Sequence, residues 1–214
     1  TRSFGEDPAA VGRMVQAAVR GMQENGMIST VKHFPGHGDT GTDSHMALPI
    51  LTIDRARFDE IELVPFRAAI EAGVEAVMSA HIAFPALTGD SVPATLNPKL
   101  LTGLLQEELG FDGLVVTDAL DMAGVAAQYS QAEMGVLAVK AGADVLLMSP
   151  QNQVLIDGVV AAVRRGEIPE SRIDHSVRKI LRAKAKMGLH RQRTVDLESV
   201  TRQVGTPQNW AVAL

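Results

Sequence analysis

Between Lys32 and His45 the chain reads KHFPGHGDTGTDSH, which gathers three of its six histidines beside two aspartates, a lysine and three glycines. One chemistry open to such a segment is metal binding, with His33, His37 and His45 as imidazole ligands and Asp39 or Asp43 as a carboxylate. The spacing matches no short zinc signature, and Lys32 would set an ammonium beside the ion, so no metal and no cofactor is expected. A second possibility is that individual histidines only satisfy loop backbone groups. The third is acid/base chemistry. Asp43 precedes His45 by two residues, near enough to orient the imidazole and raise its basicity, and imidazole titrates at about pH 6.5. Gly36, Gly38 and Gly41 supply the permissive backbone of a loop that moves over a substrate.

Acid/base chemistry needs an opposing group, and Asp118 is best placed, at the end of the apolar run Leu114-Val115-Val116-Thr117. A strand-end aspartate is also a common helix cap or turn former, but Asp121 is available for capping and would leave Asp118 free. An aspartate on a strand edge facing a loop acid/base makes the pair that cleavage of a glycosidic bond requires, a nucleophile on one side and a proton donor on the other. His81, in Ser79-Ala80-His81, follows another apolar run and is a candidate for lining the same pocket, a supporting structural role being the alternative.

The elements that must hold these residues are legible from periodicity. Asp7-Pro8 starts a helix that Gly26 ends, and Met27 to Lys32 reads as a buried strand. The alternation then repeats, with strands at Ala76–Ala80, Gly113–Thr117 and Ala143–Met148, each preceded by a helix that stops at Gly73, Gly110 or Gly142. Pro65 reads as a fresh helix start. Strands apolar on both faces between amphipathic helices indicate a parallel sheet covered by helices, an α/β fold. Lys32, His33, His81, Asp118 and Ser149 all fall just after strand C-termini, the edge where such folds build their sites. Two closing helices follow, Asn152 to Arg165 and about Ser171 to Met187. The second carries Arg178, Lys179, Arg182, Lys184 and Lys186 on a face read as solvated.

Composition narrows the partners. The 214 residues are 46% hydrophobic and 21% charged with a net charge of −5, ordinary for a globular chain and unsuited to nucleic acid or an anionic membrane. Cysteine is absent, which excludes disulfides and thiolate chemistry. No apolar run approaches the roughly 20 residues of a membrane-spanning helix. A small polar partner fits best. Aromatic residues are only 4%, with one Trp and one Tyr, so a sugar ring would be held more by charged hydrogen bonding than by stacking.

Taken together, KHFPGHGDTGTDSH, GFDGLVVTDALDM (Gly110 to Met122) and the opening Arg2-Ser3-Phe4-Gly5 resemble glycoside hydrolase family 3, in its bacterial β-N-acetylglucosaminidase branch. The resemblance spans residues 1 to about 189. It implies a retaining glycosidase on a (β/α)8 TIM barrel, acting through a covalent glycosyl intermediate on a carbohydrate substrate such as a peptidoglycan fragment. Asp118 matches the nucleophile and His45 the acid/base, assisted by Asp43. Arg2, Lys32 and His33 match positions that hydrogen-bond sugar hydroxyls. The Asp-Ser-His motif favours N-acetylglucosaminides; a β-glucosidase or other exo-glycosidase of the family is the alternative. An inactive barrel fragment serving as a binding or assembly module is a third reading.

A complete barrel needs eight βα units and about 250 residues. Residues 1–189 therefore read as the C-terminal half of a barrel, the other half coming from the rest of the natural chain or from another chain. Residues 190–214 read as a linker and the beginning of a second domain. Bacterial cytoplasm and cell surface both remain open as locations.

Overall fold

The computed structural model describes residues 3–44 and 46–213, without the side chains of Thr201 and Ala213. These divide at Ile180/Leu181 into two compact units. In the first, helix α1 (Pro8–Glu24) begins as its sequence demands, with the Asp7 carboxylate accepting from the Ala10 N–H at 2.6 Å and proline in the first turn. Strand β1 (Thr30–Phe34) follows. A continuous helical run then comprises α2 (Arg55–Arg57), a π-helical stretch (Phe58–Glu62) and α3 (Leu63–Glu71). Strand β2 (Ala76–Ser79), the short helix α4 (Pro85–Thr88), a second π-helical stretch (Lys99–Glu108) and strand β3 (Leu114–Val116) come next. After β3 lie α5 (Ala123–Ala126), α6 (Gln131–Ala141), α7 (Asn152–Arg164) and α8 (Glu170–Lys186).

The three strands among the described residues are parallel, and their order in the sheet is their order in the chain. Consecutive neighbours in one direction make the arc of a barrel, whereas a doubly wound sheet reverses its strand order partway. Parallel pairing also puts every strand C-terminus on one edge. The core lies between strands and helices: Phe34, Leu63, Val77, Leu101, Leu105 and Val115 are all buried in it. Phe34 meets Phe66 edge-on at 5.2 Å between ring centroids. Each such side chain contributes about 1.5–3 kcal/mol through burial.

Three expectations change. The first strand lies later than Met27–Lys32 because pairing starts at Thr30 opposite Ala76 and extends until the Phe34 carbonyl accepts from the Ala80 N–H at 2.7 Å. The fourth strand shrinks to a parallel bridge between Val116 and Val145, because the Thr117 hydroxyl takes the Leu147 N–H at 2.9 Å and replaces a rung of the backbone ladder. Pro65 lies inside the helical run instead of starting a helix. The widened π stretch just ahead of it includes Ile61, whose carbonyl a regular helix would press against the proline ring. The second unit holds two short helices, α9 (Leu197–Gln203), capped by the Asp196 carboxylate, and α10 (Pro207–Ala213).

Lys179 also departs from its expected solvated face. Its ammonium turns inward, donating to the Gly113 carbonyl at 2.8 Å and approaching Asp144 at 3.3 Å. The Asp144 carboxylate, 1% exposed, further accepts from the Val115 N–H at 3.0 Å and the Ser176 hydroxyl at 2.6 Å, with Arg172 at 3.4 Å. It thereby ties α8 to β3. Removing one member of a buried ionic cluster leaves its partners uncompensated, so Asp144→Ala should lower the unfolding free energy by about 3–5 kcal/mol. Denaturant unfolding checks this; a loss under about 1 kcal/mol would show the cluster to be dispensable.

Among the described residues no helix is long and apolar enough to cross a membrane.

Candidate active site

The residues singled out in the sequence converge on the C-terminal edge of the sheet. His33, in β1, and Asp118, just beyond β3, face each other over the end of β2, with Nε2 3.6 Å from Oδ2. They are 18% and 13% exposed, so both remain within reach of a ligand. Asp118 Oδ1 accepts from the N–H of Ala119 at 2.9 Å. Neither Asp118 nor Asp121 caps α5, whose N-cap is Met122 without a side-chain bond. Lys32, on β1, is exposed.

The segment after β1 folds back over this edge. Gly36 has φ of +143°, and a Cβ there would stand 3.0 Å from the Glu62 side chain, so glycine is required on both counts. Gly38 and Gly41 show neither constraint. Arg57, on α2, reaches Asp39 at 2.8 Å and Glu62 at 3.1 Å, fastening the near side of the segment. Such partly exposed pairs are screened by water and orient the segment more than they stabilise it. The His37 ring lies edge-on to His33, with centroids 5.7 Å apart, and its two nitrogens meet the Thr40 hydroxyl at 2.7 Å and the Ser44 hydroxyl at 2.9 Å. Asp43 is exposed, and its carbonyl turns the chain by accepting from the N–H groups of Met46 and Ala47. The Ser44 carbonyl accepts from the Gly124 N–H at 3.2 Å, which docks the segment on the connection that starts at Asp118. Arg2 and His45 lie outside the described residues.

His81 has a different place from the one expected of a pocket-lining group. It is 0% exposed, and both ring nitrogens are occupied from within: Nε2 donates to the Ala119 carbonyl at 2.9 Å, and Nδ1 faces the Thr95 hydroxyl at 3.0 Å. Thr95 in turn meets the Ser79 hydroxyl at 2.8 Å. The ring therefore supports the backbone beside Asp118 and offers no atom to a ligand. A carbonyl only accepts, so Nε2 carries the proton, while the Thr95 hydroxyl has one proton for two acceptors, Nδ1 of the neutral ring and the Ala80 carbonyl, each at 3.0 Å.

Burial holds the His81 pKa below its ordinary value, outweighing the nearby charges of Asp118 and Asp121. Below about pH 6.5 the unfolded chain then takes up a proton that the folded state refuses. Stability should fall with acidification, by up to about 1.4 kcal/mol per pH unit from this residue alone. Denaturant unfolding between about pH 7 and about pH 5 measures it, and His81→Gln should flatten the slope by that amount; an unchanged slope would refute the assignment.

Among the described residues no group of three or more histidines and carboxylates is placed to hold a metal ion. Thr95, Thr40, Arg57 and Gly124, all of which shape the site, carried no distinguishing signal in the sequence.

Comparison with known proteins gives this geometry a context. Residues 1–183 match the model of the glycosyl hydrolase family 3 N terminal domain. A β-N-acetylglucosaminidase/β-glucosidase of Cellulomonas fimi is 34% identical over 222 residues, covering 100% of this chain and 39% of that protein. β-Hexosaminidase A of Pseudoalteromonas piscicida is 40% identical over 158 residues, covering 69% of this chain and 26% of that protein. Among solved structures, a glycoside hydrolase family 3 β-N-acetylglucosaminidase from Paenibacillus sp. str. FPU-7 superposes with a TM-score of 0.88 at 47% identity, covering 92% of this chain and 38% of the other. The chain thus spans less than half the length of these relatives.

Proposed function

Since this chain belongs to glycosyl hydrolase family 3, we propose that it serves a retaining glycosidase that releases terminal β-linked N-acetylglucosamine from glycans such as peptidoglycan fragments. The observation that carries the reading is the pairing of Asp118 with His33 at 3.6 Å beneath a segment that bears Asp43-Ser44-His45 and is docked on Asp118's own connection. The names of the relatives support the same activity.

In this reading the Asp118 carboxylate attacks the anomeric carbon as the glycosidic C–O bond breaks. His45, as imidazolium, gives its proton to the departing oxygen, which leaves as an alcohol. A glycosyl ester on Asp118 remains. Water then attacks the same carbon, neutral His45 takes its proton, and the freed sugar keeps its original configuration. Asp43 orients the imidazole through both steps. Arg2, Lys32 and His33 hold sugar hydroxyls, His33 from beside the nucleophile. His81 acts beneath the site and not in it.

Within the wider protein, residues 1–189 form the C-terminal half of the barrel and residues 190–214 lead towards a further domain. The match of residues 1–183 to a family domain supports this division.

A second reading, β-glucosidase, has the double name of the Cellulomonas fimi relative in its favour. Parallel assays of an aryl N-acetyl-β-glucosaminide and an aryl β-glucoside with the intact natural protein separate the two. Faster turnover of the N-acetylglucosaminide is expected, and faster turnover of the glucoside would overturn the first reading.

A further inference from the structure

We infer that Ser44 is the anchor that docks the acid/base segment onto the nucleophile's connection, and that His37 and Gly124 are the two positions that hold it. The inference rests on the glycosidase reading for its catalytic consequence, but its geometry stands independently. Ser44 is 2% exposed although Asp43 and Met46 on either side are exposed. A small polar residue buried in an otherwise exposed turn must have both its side chain and its backbone satisfied from within.

The side chain is satisfied through a closed circuit. The Thr40 hydroxyl lies 3.0 Å from the His37 carbonyl, to which it can donate, and 2.7 Å from the ring nitrogen Nδ1. When that hydroxyl donates to the carbonyl, His37 Nδ1 carries the ring proton and Nε2 accepts from the Ser44 hydroxyl at 2.9 Å; in the other tautomer Nε2 donates to the same hydroxyl. In either tautomer of the neutral ring the Ser44 hydroxyl stays bonded to Nε2.

The backbone is satisfied from the opposite side. The Gly124 N–H donates to the Ser44 carbonyl at 3.2 Å, and a Cβ at position 124 would lie 2.8 Å from that oxygen and 3.3 Å from the Ala47 oxygen. Position 124 must be bare for the segment to seat. Gly124 is in α5, the element reached directly from Asp118, whereas Ser44 is the chain neighbour of His45. The two hydrogen bonds of Ser44 therefore fix the backbone one residue before His45 relative to the connection that starts at Asp118. The edge-on contact of His37 with His33 extends the same constraint to the ring beside Asp118. These are positioning residues, since none of the three needs to touch a substrate.

A positioning role has a signature that a purely structural role lacks. Displacing the proton donor by about 1 Å should hurt only those substrates whose leaving group needs a proton, by about 10- to 100-fold in kcat/KM. Ser44→Ala and Gly124→Ala in the intact natural protein should each show this loss on an alkyl N-acetyl-β-glucosaminide. On the dinitrophenyl glycoside, whose leaving group departs unprotonated, kcat/KM should stay within about twofold. Labelling of Asp118 by an activated fluorosugar should also keep its rate. The Ser44→Ala/His37→Ala double variant should lose no more than the worse single variant, because both remove one interaction.

Equal losses on both leaving groups, no loss on either, or additive losses in the double variant would each overturn the inference. Should Gly124→Ala fail to fold, Ser44→Ala decides alone, its change being one hydroxyl. If the unaltered protein hydrolyses neither glycoside, the glycosidase reading fails and the anchor is judged by amide hydrogen exchange over residues 36–44. Ser44→Ala should speed that exchange at least about tenfold, and unchanged protection would reject the anchor.

Discussion

Asp118→Ala is expected to abolish glycoside turnover, by on the order of 10³-fold or more, while the protein stays folded. The carboxylate would form the covalent bond in the first step and be displaced in the second, so no neighbour can substitute for it. Among the described residues it has one bond to the adjacent Ala119 N–H at 2.9 Å and a contact with His33 at 3.6 Å. Losing them costs about 1 kcal/mol, small against the stability of a domain. Activity and thermal unfolding measured together check both halves. A mechanism-based fluorosugar supplies an independent test, since its ester should form on Asp118; a label on another carboxylate would end the assignment.

The second large effect is expected for His45→Ala, and its size should depend on the leaving group. A positioned acid contributes about 10²- to 10⁴-fold to a step that needs proton transfer and almost nothing to one that does not. Alkyl glycosides should therefore lose most of their turnover. For dinitrophenyl glycosides kcat/KM, which reports the first step, should change little. Because His45 must give a proton and then take one, the wild-type rate should peak near neutral pH and lose its His45-dependent limb in the variant. Equal losses across leaving groups would make His45 structural. The Ser44 anchor predicts a weaker copy of this pattern, because it shifts the acid without removing it.

How far the sequence already specified these outcomes differs from residue to residue. The start of α1 was legible because Asp7-Pro8 is a local signal, a cap and a fixed φ that act within one turn. The helix stops at Gly73, Gly110 and Gly142 were legible for the same reason, and each glycine has positive φ. Pro65 looks like a helix start from sequence alone, whereas the π stretch that accommodates it inside the helix reflects packing, with Phe58 fully buried nearby, and no local pattern announces it. The fourth strand was overextended because apolar periodicity cannot show that a Thr117 hydroxyl takes a rung of the ladder.

The site divides along the same line. Its chemistry was readable from residue type: imidazoles and carboxylates in one glycine-rich segment, and an aspartate ending an apolar strand. That Asp118 and His33 meet over β2 follows from parallel strands ending on one edge, which the βα alternation already implied. The direction of His81 did not follow, because a residue after a strand can face the mouth or the interior, and the Thr95 hydroxyl and the Ala119 carbonyl, distant in sequence, decide between them. Lys179 was misplaced for a like reason. Its helix position looked solvated, but an amphipathic stem allows the charge to reach inward to Asp144.

By itself, then, the sequence determined the order of strands and helices, the family it resembles and the residue types able to do chemistry, since local propensity and motif identity are written in neighbouring positions. Only the tertiary structure decided which of those residues reach one another. It turned His81 beneath the site, drew Lys179 to a buried carboxylate and seated Ser44 between His37 and Gly124. Each of these depends on where distant backbone groups leave a donor, an acceptor or a bare Cα, and that is set by packing across the fold.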